Sequence, residues 1–331
     1  MGSVREGARQ AIENCLKIKA DEKLVIITDK KNLRIGSILR RTAKRITNNI
    51  QFFVMEDFGE RPLAFSERIR EAIEEADVSI YAAQGVKGEL QTFRNPMIET
   101  VEANPKLRHG HMVDITPQIM KEGMCSDYQE VQRISRLVFE KVQRAAQIIV
   151  VTEKGTNLKV EFSPELRWDI CDGDIKQSHW SNLPDGEVLT CPANVNGRMV
   201  IDGCLGDFFT EKYGSLGRTP VTIEIADGRA ENIQCDNEEL QKELAEYIFG
   251  QDENSDRVGE FAIGTNVGLK KLIHNLLQDE KFPGVHIAFG SPYPAKTGAS
   301  WDSKAHVDGI MIAPTVCVDG RMIMEKGKFL L

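Results

Sequence analysis

The chain has 331 residues, 41% of them hydrophobic and 28% charged, with a formal net charge of −8. This is the composition of a folded globular protein long enough to bury its own core, and the acidic balance argues against nucleic acid or an anionic membrane as main partner. No apolar run reaches the length of a membrane span, the opening Met1-Gly2-Ser3-Val4-Arg5-Glu6 lacks a signal-peptide core, and seven cysteines without a C-x-x-C pair read as reduced thiols of a cytoplasmic protein.

From the N-terminus, helical and strand patterns alternate. Val4, Ala8, Ala11, Ile12 and Cys15 recur at helical spacing, and Leu24-Val25-Ile26-Ile27 follows as a buried-strand run. Ile35, Ile38, Leu39, Ala43 and Ile46 make a second helical stripe, then Phe52–Met55 a second strand. Ser66 opens a helix carrying Ile69, Ala72, Ile73 and Ala76; Val78–Ala82 is the third strand and His111–Ile115 the fourth. Ser126 with Gln129 predicts a capping box for a long helix using Val131, Ile134, Val138 and Val142. Repeated β-α units with apolar strands predict an α/β domain with a parallel sheet, Rossmann-like in outline, over residues 1–146. The G-x-G-x-x-G and Walker-type phosphate loops are both absent from it. The basic cluster Arg40-Arg41 with Lys44-Arg45 reads as a solvated helix face, and His109 and His111 as surface or packing histidines.

Beyond residue 146 the pattern changes. Ile148–Val151, Leu158–Phe162 and Val221–Ile225 read as strands, Asp227-Gly228 as a hairpin turn, and Asp236 or Asn237 as the cap of a helix reaching about Phe249. This predicts a second, α+β domain, with antiparallel or mixed sheet and a few helices, over 147–331; the residues that make it a candidate metal-binding domain follow. His179 and His274 stand alone in the sequence and carry no assignment.

Chemistry concentrates in the last third. In Ala305-His306-Val307-Asp308 an extended chain projects His306 and Asp308 to one face, and His286 sits inside the apolar run Val285–Phe289. Imidazole and carboxylate together suit Zn²⁺, Mn²⁺, Co²⁺ or Fe²⁺. Glu260, in the apolar, glycine-flanked Val258–Gly264, and Glu187, in Pro184–Thr190, are carboxylates in settings that are costly unless paired or metal-bound. Glu280 precedes His286 by six residues and is a further candidate.

The order Glu187 … Gly259-Glu260 … Asp279-Glu280 … His286-Ile287-Ala288-Phe289-Gly290 … Tyr293 … His306-Val307-Asp308 resembles the aminopeptidase T-type metallopeptidases, most specifically over residues 183–310. The resemblance implies an N-terminal α/β domain and a C-terminal domain holding two divalent ions (Zn, Co or Mn), in a homodimeric cytoplasmic enzyme acting on peptide or aminoacyl substrates. It makes Glu187, Glu260, His286, His306 and Asp308 metal ligands, Glu280 an additional candidate ligand and Tyr293 an active-site tyrosine. The implied reaction is hydrolysis of the N-terminal residue by a water activated between two metals, with Glu260 or Glu187 accepting its proton and Tyr293 donating to the oxyanion. Gly309 departs from the pattern, because the resembled peptidases carry tryptophan after H-V-D. Two other readings use the same residues. His286, His306 and Asp308 alone form the two-histidine, one-carboxylate set of a mononuclear iron(II) ring-cleaving dioxygenase, an activity known on this fold. A non-catalytic relative that binds peptides is the third.

Overall fold

A computed structural model describes residues 2–86 and 88–331. The chain divides into two compact units, Met1–Gln132 with Asp172–Asp185, and Arg133–Cys171 with Gly186–Leu331.

The first unit is built on a parallel sheet. Strands are numbered in chain order: β1 (Leu24–Thr28), β2 (Ile50–Val54), β3 (Val78–Ala82), β4 (Arg108–His111) and β8 (His179–Asn182), arranged β2-β1-β3-β4-β8. Helices Leu33–Ala43, Glu67–Glu74 and Asn95–Ala103 alternate with its first four strands. β1 and β3 are buried at every position, as expected for parallel strands covered on both faces. Val25, Ile27, Ile69, Ile73, Phe93 and Met97 belong to one core cluster.

Two expectations change here, the fourth strand and the capping box, and the reading of two histidines is narrowed to packing. The fourth strand ends at His111, so residues 112–115 lie outside it. His109 and His111 are both buried: the His109 ring nitrogens approach Ser79 Oγ at 2.7 Å and His111 Nδ1 at 3.3 Å, and His111 stacks on Tyr81. Burial lowers His109 to about 3, so it packs as a neutral ring. The proposed capping box is not formed, since Ser126 Oγ is buried without a hydrogen-bond partner and Asp127 Oδ1 accepts from Gln129 N instead. The fifth strand, β8, comes from a segment beyond residue 146. It pairs parallel to β4, a long-range contact with no local signal.

The second unit contains two antiparallel sheets. One has eight strands in the order β12-β11-β10-β6-β5-β16-β17-β18, built from β5 (Gln147–Val151), β6 (Asn157–Glu161), β10 (Asn194–Ile201), β11 (Val221–Ala226), β12 (Arg229–Gln234), β16 (Thr315–Val318), β17 (Arg321–Glu325) and β18 (Lys328–Phe329). Asp227 and Gly228, both at positive φ, make the turn between β11 and β12, and the Asn237 side chain accepts from Leu240 N to cap helix Glu238–Gly250. The other sheet runs β15-β14-β13-β9-β7, from β7 (Asp169–Cys171), β9 (Glu187–Thr190), β13 (Val258–Gly264), β14 (Gly284–Gly290) and β15 (His306–Met311). Val160, Met199, Ile201 and Ile223 of the first sheet share a core cluster with Val188, Phe261, Ile287, Phe289, Val307 and Met311 of the second. Among the described residues no helix is long and apolar enough to cross a membrane.

Candidate metal centre

The five-stranded sheet has two chemically opposite faces. In antiparallel pairing, residues directly opposite share a face. Glu187 lies opposite Gly264 and Leu189 opposite Ala262; Ala262 lies opposite His286, and Glu260 opposite Ala288. Ala288 in turn faces Asp308, and Gly290 faces His306. Glu187, Glu260, His286, His306 and Asp308, contributed by four strands, therefore share one face, with small residues between them. The intervening Val188, Phe261, Ile263, Val285, Ile287, Phe289, Val307 and Met311 point the other way into the core. A run such as Val285–Phe289 thus alternates between packing and chemistry.

Glycines make this face possible at two places. Between Val258 and Glu260 the pairing with β14 slips by one residue, with Gly259 as the bulge. A regular strand would put Val258 and Glu260 on the same face; the bulge lets Val258 join the core while Glu260 joins His286. A Cβ on Gly259 would meet the Gly290 carbonyl oxygen at 2.0 Å. At Gly264 a Cβ would meet the Phe282 carbonyl oxygen at 2.0 Å, so its absence lets the 280–282 segment lie against β13. Gly309 belongs to the opposite face, where its Cβ would meet Ile201 Cδ1 at 2.5 Å and Met199 Cε at 2.7 Å. The small residue after His-Val-Asp therefore serves packing between the two sheets rather than shaping the acidic face.

Within the cluster, His286 Nε2 is 3.5 Å from Glu187 Oε2 and 3.5 Å from Glu260 Oε1. His306 Nε2 is 3.6 Å from Glu260 Oε2 and 3.4 Å from Asp308 Oδ2. The two oxygens of Glu260 therefore face different imidazoles. His306 Nδ1 lies 3.1 Å from the Ser291 carbonyl oxygen, an acceptor that fixes the Nδ1–H tautomer and leaves Nε2 for the cluster. His286 Nε2 is buried and lacks a hydrogen-bond partner. Tyr293, at the exposed rim, places its hydroxyl 3.2 Å from His306 Nε2. Desolvation and the carboxylates of Glu260 and Asp308 raise its phenol, keeping it a proton donor.

Glu280, outside the strands, follows the short helix Leu276–Asp279 and has a carboxylate oxygen within 4.8 Å of ligand atoms of both His286 and Asp308. Burial raises Glu280 to about 8, with Lys281 opposing. Lys281 is the residue that sequence reasoning missed. It is 1% exposed, and its Nζ lies 2.5 Å from Glu187 Oε1 and 2.7 Å from Glu280 Oε1. Nothing in Asp279-Glu280-Lys281 distinguishes it from a solvated turn lysine.

Four carboxylates around two imidazoles and one ammonium attract positive charge strongly. Burial works against protonated His286, yet the Glu260 carboxylate beside it raises the ring to about 9. Burial likewise disfavours charged His306, but Asp308 raises it to about 10, and despite its own burial Asp308 is lowered to about 2 by His306. The donors fit divalent ions: three overlapping groups, Glu187–Glu260–His286, Glu260–His306–Asp308 and Glu280–His286–Asp308, each bring ligand atoms within 4.8 Å of one another. His286 Nε2, buried without a hydrogen-bond partner between Glu187 and Glu260, is available as a ligand atom. His274, solitary in the sequence, lies near Cys204 and Asp279. There Asp279 already accepts from the backbone N–H groups of Ile273, His274 and Asn275 and from the Cys204 thiol, which makes it a turn-holding carboxylate.

A sheet face that gathers carboxylates and imidazoles in this way is chemically suited to divalent ions. A family model described as thermophilic metalloprotease (M29) matches residues 126–327, and the chain belongs to that family. It is accordingly a metallopeptidase, a hydrolase dependent on a divalent metal. A comparison with curated proteins finds no match. Among solved structures, the chain is similar to 2,5-dihydroxypyridine dioxygenase from Pseudomonas putida KT2440, with 13% identity and a TM-score of 0.72 over 99% of this chain and 96% of that one. It is also similar to wild-type AmpT from Thermus thermophilus, with 16% identity and a TM-score of 0.68 over 99% of each chain. At these identities the likeness is one of fold.

Proposed function

We propose that the protein is an aminopeptidase that removes the N-terminal residue of peptides using two divalent ions, held by Glu187, Glu260, His286, His306 and Asp308. The observation that carries this reading is the placement of Glu260, whose two oxygens face His286 and His306 separately, as a bridging carboxylate would. Glu280 stands close enough to serve as an additional ligand. When bound, the ions polarise the scissile carbonyl and lower the pKa of a water toward neutrality. The remaining work belongs to the chain. Glu260, or Glu187, would accept the proton of the attacking water and pass it to the leaving amine as the C–N bond breaks, while the Tyr293 hydroxyl would donate a hydrogen bond to the developing oxyanion. The acidic surround favours a free α-amine and so restricts cleavage to the first residue. Ser291 holds His306 in the tautomer that presents Nε2.

The one-iron dioxygenase reading needs only His286, His306 and Asp308. The presence of Glu187 and Glu260 within the same cluster favours the hydrolase, because one ion with open positions leaves these two acids without a task. The test is hydrolysis of a panel of aminoacyl amides after exhaustive chelation and after return of Zn²⁺, Co²⁺ or Mn²⁺. Loss and recovery of turnover are expected; hydrolysis that survives chelation, or ring cleavage of a dihydroxypyridine dependent on a single iron, overturns the reading. A homodimer belongs to the same proposal and is checked by light scattering.

A further inference from the structure

Resting on the two-ion reading above, we propose that the two cation positions are unequal and that Lys281 makes them so. The position between Glu260, His306 and Asp308 fills first and tightly; the one between Glu187, Glu260 and His286 fills second and weakly.

The first reason is commitment of charge. A buried ammonium is tolerated only when paired, and Lys281 is paired with Glu187 Oε1 and Glu280 Oε1. Glu187 is left with Oε2 alone on the His286 side, so it serves as a one-oxygen ligand whose charge is already offset. The second reason is repulsion. The ammonium is ion-paired directly with Glu187, a ligand of one position, and with Glu280; Asp308, of the other position, is ion-paired with His306 and feels the Lys281 charge less than that of either imidazole.

The third reason is rigidity. Lys281 cannot swing into solvent, as a surface lysine would. Its carbonyl accepts from Asn266 N at 2.9 Å, its N–H donates to Gln278 O at 3.1 Å, and the next carbonyl lies against Gly264. By contrast, His306 is pre-oriented by Ser291 at the position assigned as tight. Lys281 is thus a positioning residue that spaces the affinities of the pair, leaving the second ion exchangeable.

Zinc binding to the chelated full-length protein tests this, counted by equilibrium dialysis with elemental analysis and followed by titration calorimetry. The wild type should take one equivalent tightly and a second at least about tenfold more weakly. Lys281→Met should narrow the gap by strengthening the second equivalent, and Lys281→Gln, which keeps a hydrogen-bond donor, should do the same if the methionine variant folds poorly. Asp308→Asn should abolish the tight equivalent, and Glu187→Gln only the weak one; this pair needs no change at Lys281. Two equal equivalents in the wild type overturn the inference and leave the two-ion reading standing. A gap that persists in both Lys281 variants also overturns it. A single equivalent at every zinc concentration, in wild type and variants alike, sinks both.

Discussion

In the proposed mechanism, Glu260 concentrates the chemistry of the site in one side chain. It is 4% exposed, stands between two imidazoles, and has an assigned role that depends on its charge rather than its shape. Glu260→Gln preserves the shape, so we expect a folded protein with kcat/KM reduced by about 10²–10⁴-fold. In the metal-free state, removing one of four crowded acids should not lower Tm, while the Tm rise produced by zinc should shrink; melts with and without zinc read both. A variant with full turnover would remove Glu260 from the mechanism. At this scale the sequence was informative for residues whose setting is anomalous. Glu260 within Val258–Gly264 and His286 within Val285–Phe289 interrupt apolar strands without a packing reason. Lys281 was illegible because its anomaly is burial, and burial of a turn residue depends on what packs over it.

At the scale of elements, the alternation of β13, β14 and β15 does two jobs at once, filling the core with one face and gathering the candidate ligands on the other. The Gly259 bulge is the point where this division is decided, because it changes the parity of the strand between Val258 and Glu260. Gly259→Ala would push a methyl group into the Gly290 carbonyl, a backbone atom that cannot yield cheaply. We expect a stability loss of about 1–3 kcal/mol, the range for overpacking, together with loss of tightly bound zinc, read by chemical denaturation and elemental analysis. Wild-type zinc content would show that the bulge does not aim Glu260. The parity change has no signature in Val258–Gly264 beyond the glycine itself. The pairings of β13 with β14 and β9 were likewise unreadable, since they join segments distant in the chain.

For the whole molecule, the second unit buries four acids whose charge, without ions, is offset by Lys281 and by protons held on Glu280, His286 and His306. Ions that bind the native state and not the unfolded chain should raise its stability by mass action. Chelation should therefore lower Tm by several degrees, since about 1 kcal/mol corresponds to roughly 2–4 °C in a unit of 150–250 residues; returning zinc should restore it. An identical Tm with and without metal would count against a pre-built cation site. The same measurement in acid is uninformative, because protons then occupy the imidazoles in place of the ions.

The sequence by itself indicated a parallel sheet with alternating helices, further sheet beyond it, and the identity of the ligand candidates. Hydrophobic periodicity is local, and a polar residue inside an apolar strand is visible within a few positions of its neighbours. Only the tertiary structure decided that β8 completes the parallel sheet of the first unit, that Gly309 faces the core, and that Lys281 reaches Glu187. Each of these depends on long-range packing and pairing, whose free energy comes from surfaces meeting after the chain has folded back on itself, and no window of neighbouring residues encodes it.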